Sequence, residues 1–187
     1  MKKILLCILV FVAAGYFVVM ETETGQDLFL DRLLSVMTQN QQTAPVDGLD
    51  VYICGASSPL STTGNAQSCV FIIAGDRSFV VDTGPGSPRV IRRLGLPLNN
   101  LEAVLLTHFH GDHISALGDV NFNSWVAGRG KKLTVMGPEG VDLVVNGFNQ
   151  AYSLDSSYRT RHHGWDILPL EYSVMQSKTC LLYTSPS

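Results

Sequence analysis

Thr107-His108-Phe109-His110-Gly111-Asp112-His113 puts three imidazoles and a carboxylate on one short stretch, directly after the apolar run Val104-Leu105-Leu106. Neutral imidazole nitrogen and carboxylate oxygen are the donors that borderline metals such as zinc accept. The apolar run reads as a strand, and alternate side chains of an extended segment point the same way. His108 and His110 can therefore face one ion. Asp112 and His113 fall where the chain is expected to turn into a helix, Ile114 to Leu117, and can face a second ion nearby. The chain has five histidines, and three of them in this window argue against a merely polar loop. The stretch is expected to be a metal site.

Outward from it, the chain from Leu49 onward alternates short apolar runs with turn residues. Leu49 to Cys54, Cys69 to Ala74, Ser78 to Asp82, Ala103 to Thr107 and Leu133 to Met136 read as strands. Gly75-Asp76 predicts a tight hairpin. Pro88 to Leu94 and Val141 to Tyr152 read as helices, and no internal repeat is visible. The expected class is α/β (α+β).

His108, His110, Asp112 and His113 match the H-x-H-x-D-H signature of the metallo-β-lactamase fold superfamily. Val51-Tyr52-Ile53-Cys54-Gly55 with Ser57-Ser58-Pro59 resembles the first strand and loop of its ribonuclease Z-like branch. Phe79-Val80-Val81-Asp82-Thr83-Gly84-Pro85-Gly86 resembles the strand and acidic turn that precede the metal loop there, and Met136-Gly137-Pro138-Glu139-Gly140 is similar to a later strand–helix junction. The resemblance covers about residues 49 to 170. It implies the amino-terminal part of a four-layer αββα sandwich, with the metal loop at one sheet edge.

It also implies a chemistry. His108 and His110 would bind a first zinc ion, and Asp112 and His113 a second, with manganese or iron as alternatives. A hydroxide held between two such ions attacks phosphorus or a carbonyl carbon. Asp112 would also orient the attacking water or accept its proton. Asp82 would brace a ligand histidine from behind, and Thr107 is expected to bond backbone beside the loop. The family's remaining ligands come from later in the chain. The one further candidate here, His162-His163, is close to His113 in sequence for a third histidine, and His163 is expected behind the ligands or in a substrate loop. The implied activity is hydrolysis of a phosphodiester or sulfate ester. Alternatives are a lactone, thioester or β-lactam hydrolase of the same fold, or an inactive metal-binding fragment.

Composition bounds these readings. The 187 residues are 45% hydrophobic and 16% charged, enough material for one domain with a buried core. A net charge of −3 with no basic block gives no general attraction for nucleic acid. The expected substrate is therefore a small molecule or an ester met at the metal site, and oligomeric state stays open. Cys54 and Cys69 fall on neighbouring strands and can be a disulfide or two buried thiols.

Lys2 and Lys3 precede an apolar run, Ile4 to Met20, with the pattern of a signal peptide or membrane anchor. Residues 1–20 are thus expected to export the chain or tether it outside the membrane. Residues 21–47 read as a stalk, and 48–179 as a partial metallo-β-lactamase-like domain. Cys180-Leu181-Leu182-Tyr183-Thr184-Ser185-Pro186-Ser187 matches a translation of the transposon-end adaptor used in sequencing libraries. Residues 180–187 are therefore expected to be a non-native tail on a truncated chain.

Overall fold

Leu49–Gly55 (β1), Cys69–Ala74 (β2) and Arg77–Val81 (β3) form an antiparallel meander. In the computed structural model, which describes residues 15–17, 21–28, 32, 47–60 and 64–180, Gly75 opens the β2–β3 hairpin at φ 61°. Glycine takes that left-handed conformation without a Cβ penalty. Leu101–Leu105 (β4), Leu133–Gly137 (β5) and Met175–Thr179 (β6) then add in parallel, giving one mixed sheet of order β1-β2-β3-β4-β5-β6.

The parallel strands need crossovers, and helices supply them. Ser87–Arg93 (α1) lies between β3 and β4. Gly111–Ile114 (α2) and Leu117–Val126 (α3) lie between β4 and β5, and Val141–His163 (α4) lies between β5 and β6. In α3 the buried positions are Leu117, Gly118, Val120, Asn121, Ser124 and Trp125, whose 3–4 spacing makes one helical face. Phe71, Val80, Val104 and Val135 of the strands pack with Ile91, Leu117, Val120, Val141 and Val145 of the helices in one core.

The opposite face of the sheet is covered less. Leu49, Val51 and Ile53 are exposed there. The register carries that face through Ile72 and Phe79, both only partly buried. Cys54 and Cys69 pair across β1 and β2 as a disulfide.

Arg129 ties the helical layer together. Its side chain is 1% exposed. Its Nε donates to the Lys131 carbonyl at 2.8 Å, and its Nη2 donates to Asn121 Oδ1 at 2.9 Å and the Tyr172 carbonyl at 2.7 Å. Nη1 also bonds Ser124 Oγ. Burial pulls its pKa below the usual guanidinium range to about 10, so it remains a cation at neutral pH.

Three expectations change. α4 runs to His163 rather than Tyr152, and α3 and β6 are additional. The metal loop leaves β4, a central strand, rather than a sheet edge. The expected anchor, residues 1–20, lies almost wholly outside the described residues. Residues 1–14 and 18–20 lie outside the described residues, and among the described residues no helix is long and apolar enough to cross a membrane. Residues 181–187 of the expected tail also lie outside them, as does most of the expected stalk.

Candidate metal centre

β3 and β4 are parallel neighbours, so their carboxyl ends lie side by side, and the residues just beyond them meet. Asp82 follows β3, and Thr107 to His113 follow β4. Asp82 takes φ 57°, the left-handed region that aspartate tolerates better than most side chains. The chain leaves the sheet there, and the Asp82 N–H still donates to the Leu105 carbonyl at 2.9 Å. Its carboxylate is buried beneath the metal loop.

Four donors converge on that carboxylate. The Thr107 N–H donates to Oδ1 at 2.9 Å, and Thr107 Oγ1 lies 3.1 and 2.9 Å from Oδ1 and Oδ2. Ser68 Oγ donates to Oδ2 at 3.3 Å, and His113 Nδ1 lies 2.7 Å from the same oxygen. An ionised carboxylate offers about four lone-pair positions, so Asp82 is fully occupied.

Backbone bonds lace the same turn to the loop. The Thr83 N–H donates to the His113 carbonyl at 2.6 Å, and the Ala116 N–H donates to the Thr83 carbonyl at 2.8 Å. The Gln67–Ser68 segment crosses below: the Gln67 N–H reaches the Pro85 carbonyl at 2.9 Å, and the Gly84 N–H reaches the Ser68 carbonyl at 2.8 Å. Gly84 has no room for a side chain, because a Cβ there would collide with the Asp112 carbonyl oxygen and with the Gln67–Ser68 backbone.

The loop presents two donor pairs. His108 Nε2 and His110 Nδ1 are 3.1 Å apart. His113 Nε2 and Asp112 Oδ2 are 3.4 Å apart. The edge of a tetrahedron with metal–ligand bonds of ~2.0–2.1 Å is about 3.3 Å, so each pair has the spacing of two ligands on one zinc ion. The residues fit the metal in chemistry and in spacing. Among the described residues no group of three or more His, Cys, Asp or Glu side chains is arranged to hold a metal ion. What the loop offers is two separate two-donor edges.

Burial, followed by the neighbouring His113 and His110, lowers the pKa of His108 against the opposing pull of Asp82 and Asp112. That favours the neutral imidazole a metal requires.

The structure thus brings together His108, His110, Asp112, His113 and Asp82, five of the six expected site residues. It does not bring in His163, which corrects that expectation. α4 starts beside the loop, where Phe109 approaches Gly140, and then runs 23 residues to His163. At 1.5 Å per residue it ends about 34 Å away, and His163 is exposed there. Sequence reasoning missed Ser68 and underrated Thr107. The usable signal was the hydroxyl residue at the strand end, directly preceding His108.

A family model described as the metallo-beta-lactamase superfamily matches residues 62–166. The ribonuclease Z of Mycolicibacterium gilvum (strain PYR-GCK) is 36% identical over 118 residues, covering 62% of this chain and 41% of that protein. The ribonuclease Z of Mycobacterium bovis (strain BCG / Pasteur 1173P2) is 37% identical over 118 residues, covering 62% and 42%. The crystal structure of a long form RNase Z from yeast superposes with a TM-score of 0.52 at 16% identity, covering 75% of this chain and 19% of that one, a likeness of fold. The chain spans about two fifths of the length of the curated relatives named here.

These relatives overturn the exported, membrane-anchored location expected from residues 1–20. They are proteins named as ribonucleases. The match over residues 62–166 takes in the acidic turn and the whole metal loop, and covers more than half of the sequence: the chain belongs to the metallo-beta-lactamase superfamily.

Proposed function

We propose that this chain carries half of the metal centre of a phosphodiester hydrolase whose complete centre holds two zinc ions. The observation that carries the reading is the pair of donor edges, 3.1 Å between His108 Nε2 and His110 Nδ1 and 3.4 Å between His113 Nε2 and Asp112 Oδ2. His108 and His110 would hold the first ion, and Asp112 and His113 the second. Each edge supplies two of the four positions a zinc ion takes, so each ion needs further donors from elsewhere in the complete protein. When bound, zinc supplies a Lewis acid and a hydroxide nucleophile near neutral pH.

The residues around the edges divide the remaining work. Asp82 is buried and already accepts four hydrogen bonds, which commits it to holding the loop and not to taking a reacting proton. Its part is to orient His113. Asp112 faces solvent more, at 18% side-chain exposure against 5% for Asp82. It can bind through one oxygen and use the other to orient the attacking water or take its proton. The similarity to proteins named ribonuclease Z supports a phosphodiester of RNA as the substrate. With a net charge of −3, recognition would rest on the metal site and not on a basic surface.

The test is turnover of a chromogenic phosphodiester and of a chromogenic cephalosporin by the zinc-loaded full-length gene product. Phosphodiester cleavage lost in Asp112→Ala is expected. Cleavage of the cephalosporin alone would reject the reading.

A further inference from the structure

Thr107 Oγ1 stands between the two donor edges. It lies 2.9 Å from Asp82 Oδ2 and 3.0 Å from His108 Nδ1. A hydroxyl has one proton and can give it to one of these neighbours. Were it given to His108, the bare hydroxyl oxygen would face two carboxylate oxygens at 2.9 and 3.1 Å with no hydrogen between them. Given to Asp82, it satisfies the carboxylate and leaves the hydroxyl oxygen free to accept from His108. The His108 ring must then carry its proton on Nδ1. That leaves Nε2 bare, and Nε2 is the atom set 3.1 Å from His110 Nδ1.

The same carboxylate acts on the other edge. His113 Nδ1 donates to Asp82 Oδ2 at 2.7 Å, which bares His113 Nε2 beside Asp112. We propose that Thr107 is a positioning residue, which fixes His108 as its Nδ1–H tautomer and joins the two donor edges through Asp82. The chain of bonds runs from His108 Nδ1–H to Thr107 Oγ1–H to the Asp82 carboxylate, which also receives His113 Nδ1–H. The consequence for metal binding rests on the two-ion reading above; the tautomer does not.

The deciding measurement is a long-range proton–nitrogen correlation spectrum of the metal-free chain, labelled with 15N-histidine, at a pH where the imidazoles are neutral. His108 is expected to show a protonated Nδ1 and a bare Nε2. Thr107→Val should lose that single-tautomer signature and weaken binding of zinc alone by ~10–100-fold. Thr107→Ser, which keeps the hydroxyl, should restore both. A wild-type His108 protonated on Nε2 overturns the proposal, as does a Thr107→Val chain that keeps its tautomer and its zinc affinity. Should the valine variant fail to fold, the wild-type spectrum and the serine variant still decide. The Nδ1–H tautomer with hydroxyl-dependent zinc binding, but no phosphodiester cleavage by the full-length protein, would support Thr107's role and reject only the substrate.

Discussion

His113 Nδ1 lies 2.7 Å from Oδ2 of Asp82, a residue 31 positions earlier in the chain. The contact makes one ring nitrogen a committed donor and leaves the other bare beside Asp112. Asp82→Asn removes the charge and sets an amide among four donors. Zinc affinity is expected to fall ~10–100-fold, as for other residues that orient metal ligands, and titration calorimetry would measure it. Unchanged affinity would mean that His113 is oriented by the backbone alone.

Gly84 is a point where backbone passes against backbone, because a Cβ there meets the Asp112 carbonyl and the Gln67–Ser68 backbone. Gly84→Ala is expected to cost about 1–3 kcal/mol through overpacking. Gly147, on the exposed side of α4, has open space around it. Gly147→Ala should stabilise the helix by about 0.5–1 kcal/mol. Opposite signs in paired thermal melts would confirm the contrast.

Arg129 donates to the carbonyls of Lys131 and Tyr172 and to Asn121 Oδ1. Arg129→Met keeps much of the side-chain volume and leaves those buried and partly buried acceptors without their donor. Each unsatisfied buried group costs about 1–3 kcal/mol, so urea unfolding should show a loss of about 3 kcal/mol or more. Zinc affinity should not change, since none of these partners lies on the metal loop.

Tyr152 donates its hydroxyl to Asp119 Oδ1 at 2.6 Å. Desolvation, followed by the hydrogen bond and charge of Asp119, raises its pKa from 10.0 to about 12. Between those values the unfolded chain has released a proton that the folded one keeps. The contribution is therefore full below pH 10 and is lost as pH rises through about 12. Tyr152→Phe is expected to flatten this alkaline decline in stability. An identical decline in both proteins, followed by denaturant melts across that range, would assign it to other groups.

The clustering of the histidine loop and the first five strands were legible because their signals are local. Alternation and turn residues mark the strands, and ligand types at fixed spacing mark the loop. α3 hid because two of its buried positions are Asn121 and Ser124, whose polar groups serve Arg129; a hydropathy pattern reads them as surface. β6 hid because Gln176, Ser177, Lys178 and Thr179 are exposed at the sheet edge and carry no alternation. His163 misled because, with His162, it is the other histidine cluster in the sequence, yet a single helix carries it away. The work of Thr107 follows from the position of Asp82, and only the parallel register of β3 with β4 supplies that.

Everything that sets the donor atoms, apart from Ser68, lies between Arg77 and His113, on two adjacent strands and the turns at their ends. Such a block is contiguous in sequence. Exchanged between relatives together with Ser68, it is expected to keep its ring orientations. Whatever supplies the other donors is then free to diversify, so that substrate choice and metal-edge geometry can evolve separately.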